Sequence, residues 1–163
     1  NWLLNNVKTD IRSDLSASLK VHNVQAKNDR VYRIPLATER VAAGAASPVQ
    51  SHVDQALDLN EYLIRNENST FIVKANSLSM LDVGIDIDDP LVVDRSLAAK
   101  SGDIVIALID NDFTVKRLMI DHHFNPPKVW LKAENPDYQN IYITEGQELL
   151  IWGVVTYNLK PMR

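Results

Sequence analysis

Ile104-Val105-Ile106-Ala107-Leu108-Ile109, then Asp110-Asn111-Asp112, then Phe113-Thr114-Val115-Lys116-Arg117-Leu118 is the stretch from which the architecture follows. The first segment is an unbroken apolar run rich in β-branched side chains, too short for a buried helix, and it reads as a strand buried on both faces. Asp and Asn next to one another supply a turn. The second segment alternates and returns as the hairpin partner. Alternation puts Thr114, Lys116 and Leu118 on one face and Phe113, Val115 and Arg117 on the other. Turning the first set inward buries Lys116; turning the second inward buries Arg117, which cannot shed its charge.

Similar short runs flank the hairpin. Phe71-Ile72-Val73-Lys74-Ala75, Leu91-Val92-Val93, Val129-Trp130-Leu131-Lys132-Ala133, Ile141-Tyr142-Ile143 and residues 149–157 read as further strands between turns rich in Asp, Asn, Pro and Gly. The pattern predicts a mostly-β domain, a partly closed barrel or sandwich. A short helix is expected over Asp58-Leu59-Asn60-Glu61-Tyr62-Leu63-Ile64, with Asp58 as cap and Glu61 three residues on. Upstream, Leu4, Val7, Ile11, Leu15 and Leu19 fall on one face of a helix over about residues 2–20. The small residues Val41-Ala42-Ala43-Gly44-Ala45-Ala46-Ser47-Pro48 read as an exposed connector. The expected organisation is a helical or flexible N-terminal arm over 1–40, a connector over 41–50 and a β-rich domain over 51–163.

The apolar share of 45% and charged share of 23% are those of an ordinary globular chain, so disordered and fibrous classes are set aside. No apolar run is long enough for a membrane span, and the start lacks a secretory signal. The chain opens without Met, which leaves room for sequence upstream of Asn1. With no cysteine, a disulfide framework, a thiol nucleophile and a thiolate zinc site are excluded, in keeping with a cytoplasmic protein. The net charge of −4 is uneven: residues 1–40 carry +3 and the remainder −7. Any DNA contact would have to come from the N-terminal part or from upstream sequence, because phosphates need clustered cations. A modest excess of this kind also fits a solvated arm.

Two polar positions in the β domain carry possible chemistry. Ser79 follows a strand exit in Asn76-Ser77-Leu78-Ser79-Met80, and Lys116 lies within the hairpin. A lysine in an apolar site loses solvation of its charged form and its pKa falls. The neutral amine can then take a proton from a serine hydroxyl, with Thr114 beside it. Backbone N–H groups of Leu78 and Ser79 are candidate donors to an oxyanion. Spacing alone fits equally a turn serine and a solvated lysine on an outer face. The remaining candidates read as structural. His122 and His123 point to opposite sides of a strand or lie in a loop and make no metal pair. Asp86, Asp88 and Asp89 lack the spacing of a calcium loop and read as a solvated turn. Trp130 and Trp152 read as core or interface, and Lys74 as a strand-surface residue. No metal or cofactor is expected.

From about Gly44 to Arg163 the chain resembles the UmuD and LexA family of self-cleaving serine–lysine peptidases. The resemblance rests on Arg40-Val41-Ala42-Ala43-Gly44, on Ser79-Met80 followed by Asp82, Gly84, Ile85, Asp88 and Asp89, and on Gly102 to Ala107 with Phe113 to Leu118. Asp58-Leu59-Asn60 and the ending Gly153-Val154-Val155, Lys160, Met162-Arg163 are nearer to UmuD. Ser77 departs from the pattern, standing where the family carries glycine. Leu78 replaces the acidic residue of UmuD, and Pro90 a small residue or leucine.

The resemblance implies the LexA/UmuD peptidase fold and an autoproteolytic serine endopeptidase. Ser79 would be the nucleophile and Lys116 the base, cutting Ala43–Gly44 with Val41 and Ala42 recognised beside the bond. The connector would then be cleavable and residues 51–163 would also dimerise. It further implies a homodimer, stimulation by a RecA filament on single-stranded DNA, and a role in the SOS response to DNA damage. That role is either UmuD-like support of a translesion DNA polymerase in mutagenesis, or LexA-like transcriptional regulation. The competing expectation is a non-proteolytic β interaction domain with vestigial Ser79 and Lys116.

Overall fold

The computed structural model describes residues 31–36, Gly44 and 55–163. The helix expected over residues 2–20, and the connector apart from Gly44, lie outside the described residues. The chain divides into two compact units, and the described residues pass from one to the other between Arg65 and Asn66, later than the expected boundary at 50/51.

The first unit holds a two-stranded antiparallel pair that the sequence reading did not anticipate. β1 (Arg33–Leu36) pairs with β2 (Gln55–Asp58), Arg33 opposite Asp58 and Ile34 opposite Leu57. β1 falls inside the stretch expected as an arm. Only four residues long and exposed throughout, it has no buried face to impose an alternating pattern. α1 (Leu59–Leu63) follows β2 directly. Asp58 caps it as expected, its side chain accepting the Asn60 N–H at 2.8 Å.

The second unit is built on one seven-stranded sheet, antiparallel at every pairing. Its strands are β3 (Thr70–Lys74), β4 (Pro90–Asp94), β5 (Ile104–Ile109), β6 (Asp112–Asp121), β7 (Lys128–Lys132), β8 (Ile141–Tyr142) and β9 (Leu149–Asn158). The spatial order is β3-β4-β9-β5-β6-β7-β8, so β9 crosses the sheet to lie between β4 and β5. Each strand coincides with an apolar run picked out above to within a few residues.

β5 is central, which explains its continuous apolar sequence: both faces are covered. Val105, Ala107 and Ile109 join Leu118, Val129, Leu131, Leu149 and Val154 in one core cluster. Ile106 faces a second cluster with Met80, Ile85, Leu91, Val93 and Trp152. Trp152 is core, with Phe71 at a ring distance of 5.3 Å and Phe113 edge-on at 6.2 Å. The turn from β5 to β6 uses only Asp110 and Asn111, at φ +47° and +72°. Two consecutive left-handed residues match the twist of a tight hairpin, and Asp and Asn tolerate them better than most side chains. Gly153 permits a close approach between strands: a Cβ there would lie 2.6 Å from Val93 Cγ1. Among the described residues no helix is long and apolar enough to cross a membrane.

Asp89 corrects the expected solvated turn. It is 5% exposed, and its carboxylate accepts Asp86 N–H (2.8 Å) and Asn158 Nδ2 (2.8 Å) and pairs with Lys160 Nζ (3.2 Å). Burial works to raise its pKa, but these partners outweigh it and hold the carboxyl below its ordinary value. Its side-chain partners come from 69 and 71 residues downstream, beyond any local pattern.

Candidate active site

Ser79 is carried by the loop between β3 and β4. The loop is closed at its base, where Ala75 N–H donates to the Asp89 carbonyl (3.0 Å) and Asp88 N–H donates to the Ala75 carbonyl (2.8 Å). Met80, 1% exposed, and Ile85, 3% exposed, anchor it in the second core cluster. A single 3₁₀ turn, Leu81–Val83, ends on Gly84 at φ +83°, a conformation glycine adopts without penalty. The far side of the loop is fastened to the chain leaving β7. Glu134 N–H donates to the Ser79 carbonyl (2.9 Å), Asp82 N–H to the Glu134 carbonyl (2.8 Å), and Asn135 Nδ2 to the Leu78 carbonyl (2.8 Å). The serine backbone is therefore held from both sides.

Lys116 comes from β6. It stands opposite Val105 and two residues before Leu118, both members of the first core cluster, so its aliphatic stem packs on the apolar face. The residue is 6% exposed. Arg117 takes the other face, where Nε lies 2.6 Å from Glu134 Oε1 and an Nη donates to the Gly102 carbonyl. Of the two orientations left open by alternation, the structure has Lys116 inward.

The two side chains meet. Lys116 Nζ lies 2.8 Å from Ser79 Oγ, 2.9 Å from Thr114 Oγ1 and 3.1 Å from the Val115 carbonyl. Ser79 is 1% exposed. Burial lowers the Lys116 pKa from its ordinary value, because it strips water from the charged form. A neutral amine has two N–H groups for Thr114 and Val115 and one lone pair for the serine proton, which matches the three partners present. Ser77 is also part of the cluster, its hydroxyl 3.1 Å from Ser79 Oγ and 3.4 Å from Ser79 N. Its φ is not positive, so a serine there entails no left-handed strain.

Thus Ser79, Lys116, Thr114 and Leu78 are brought together. Gly44 is exposed and belongs to the first unit, while Val41, Ala42 and Ala43 lie outside the described residues. Sequence reasoning missed Glu134 and Asn135 as supports and treated Ser77 only as a departure. A hydroxyl two residues before a candidate nucleophile was the available signal for Ser77; nothing local marks the other two. Elsewhere, His122 and His123 occupy the turn after β6, with His123 Nδ1 2.7 Å from Asp121. Lys74 is exposed on β3, and Trp130 stacks on Tyr142 at 6.3 Å.

Comparison with known proteins agrees with this architecture. Residues 35–156 match the family model described as Peptidase S24-like. Protein MucA of Salmonella typhimurium is 43% identical over 131 residues, covering 80% of this chain and 86% of that protein. Protein ImpA of Escherichia coli is 39% identical over 135 residues, 83% of this chain and 89% of its own length. LexA repressor 1 of Pseudomonas syringae pv. tomato is 37% identical over 116 residues, 71% of this chain but 55% of the repressor. With its family model spanning most of the sequence and these relatives beside it, the chain belongs to the Peptidase S24-like family, that of UmuD and LexA.

Proposed function

We propose that the protein cuts its own chain between Ala43 and Gly44, with Ser79 as nucleophile and Lys116 as general base. The observation that carries this reading is the 2.8 Å approach of Lys116 Nζ to Ser79 Oγ in a buried setting. Neutral Lys116 takes the Ser79 proton as Oγ bonds to the Ala43 carbonyl carbon. The N–H groups of Leu78 and Ser79 receive the oxyanion, the Ser79 N–H giving up its long 3.4 Å contact with Ser77 Oγ. Lys116 then passes the proton to the departing Gly44 nitrogen, the C–N bond breaks, and Ala43 remains as an ester on Ser79. Water, deprotonated by the same lysine, releases it. Ala42, Ala43 and Gly44 suit the role because small side chains let the backbone approach closely, and Val41 offers an apolar anchor. Thr114 holds the amine by accepting one of its N–H bonds. Tethering the bond to the same molecule replaces a bimolecular encounter with a local one.

The biological role that fits this chemistry is the SOS response to DNA damage, in which a RecA filament on single-stranded DNA favours the cleavable arrangement by population shift. A UmuD-like part in damage-induced mutagenesis, as a homodimer supporting a translesion polymerase, is favoured over a LexA-like repressor by the higher identity to MucA than to LexA. The test is mass spectrometry of the purified chain after incubation at alkaline pH, or with a RecA filament. Fragments ending at Ala43 and starting at Gly44 are expected from the wild type and absent from Ser79→Ala and Lys116→Ala. Normal cutting by either variant removes that residue from the mechanism.

A further inference from the structure

The Ser77 hydroxyl lies 3.1 Å from Ser79 Oγ. The consequence follows from counting protons. When Lys116 is charged it has three N–H groups, which its three partners Thr114 Oγ1, the Val115 carbonyl and Ser79 Oγ all accept. Ser79 then no longer has a lone pair on the amine to receive its own proton, and at 1% exposure water does not substitute. Ser77 Oγ is within reach to accept it. When Lys116 is neutral, Ser79 donates to the amine and the Ser77 hydroxyl turns round to donate to Ser79 Oγ.

The two states do not benefit equally. Without Ser77, the charged state leaves a buried O–H donor unpaired, which is costly. The neutral state loses only one bond accepted by an oxygen that is still donating. Ser77 therefore favours the charged, resting pair more than the reactive one. We infer that Ser77 is a positioning residue that acts as a latch: by accepting the Ser79 proton it stabilises the resting hydrogen-bond arrangement and moves self-cleavage to higher pH. The inference rests on the Ser79–Lys116 reading above.

Other charged groups on the elements around Lys116 are engaged elsewhere. Arg117 on β6 and Lys132 at the end of β7 both bind Glu134. Asp103, before β5, accepts Lys100 N–H. Asp82, on the serine loop, is exposed.

The test follows the Lys116 side-chain 13Cε resonance against pH in the full chain, recorded before fragments accumulate, alongside the pH profile of cutting. Ser77→Ala and Ser77→Gly are expected to lower the Lys116 midpoint by about half a unit to one unit, with cutting below the midpoint about three- to tenfold faster. Ser77→Thr, which keeps the hydroxyl, should stay near the wild type. An unmoved Lys116 midpoint in Ser77→Ala, or an equal shift in Ser77→Thr, overturns the latch. A shifted midpoint with no fragments from any variant upholds the hydrogen-bond effect of Ser77 on Lys116 but overturns its effect on cutting together with self-cleavage itself, so the two failures are distinguishable.

Discussion

Glu134 donates its main-chain N–H to the Ser79 carbonyl at 2.9 Å, so the chain leaving β7 holds the backbone of the serine whose side chain meets Lys116 from β6. The Glu134 side chain is in turn gripped by Arg117 at 2.6 Å, the neighbour of Lys116 on the opposite face. Removing the grip by Arg117→Ala is expected to cost about 1 kcal/mol, as for a partly exposed ion pair. Urea unfolding measures it.

Glu134 also gives an acid signature. The Arg117 hydrogen bond, with Lys132 adding to it, holds the carboxyl below its ordinary value of 4.5. A depressed folded-state pKa contributes stability that is fully present above the unfolded value and is lost as pH falls through the folded one. The urea midpoint of the wild type should therefore exceed that of Glu134→Gln above pH 4.5, and the gap should narrow below it. A gap independent of pH would rule out a titrating role for this carboxylate.

Lys116 has the opposite sign. Its folded pKa lies below the ordinary 10.5 because burial penalises the charge. Below the folded value the wild type carries the full cost of burying an ammonium. That cost declines as pH rises and is gone above 10.5, where both states are neutral. Lys116→Met should thus compare more favourably with the wild type at pH 7 than at pH 10.5, whatever its absolute stability. Guanidinium unfolding at the two pH values reads the difference.

Thr114 Oγ1 accepts an N–H of Lys116 at 2.9 Å. Thr114→Val keeps the shape and removes the acceptor, freeing the amine to rotate away from Ser79. Self-cleavage should slow about tenfold, the size of one lost hydrogen bond in a reacting geometry. Thr114→Ser should retain most of the rate. First-order fragment appearance distinguishes them.

Gly153→Ala would place a methyl 2.6 Å from Val93 Cγ1 and 3.3 Å from Arg95 Cγ. Overpacking of this kind costs about 1–3 kcal/mol. Val93→Ala in the same chain should recover part of the loss, and a double-mutant cycle by thermal unfolding measures the coupling.

The strands of the large sheet were legible because each buries at least one face, and burial writes itself into sequence as apolar runs. Ile104–Ile109 is the clearest case, covered on both sides. β1 and β2 left no such trace, being exposed or half-buried and short. The Ser79–Lys116 encounter was legible only through resemblance, since alternation sets the face of Lys116 but not what approaches it. Asp89 was misread because its partners Asn158 and Lys160 arrive from the other end of the domain. Glu134 and Asn135 support the serine through long-range contacts that no periodicity encodes.

The β6–β7 ladder pairs Arg117 with Lys132 and Leu118 with Leu131. One strand of that ladder delivers the amine; the other, two residues on, delivers the main-chain grip on the serine. Slipping it by a single residue would turn every side chain of one strand to the wrong side, so the spacing between Lys116 Nζ and Ser79 Oγ is gauged by sheet alignment rather than by the loop alone. Any load applied along β7 or at the outer strand β8 therefore bears on the approach of Lys116 Nζ to Ser79 Oγ, even though neither strand supplies either atom.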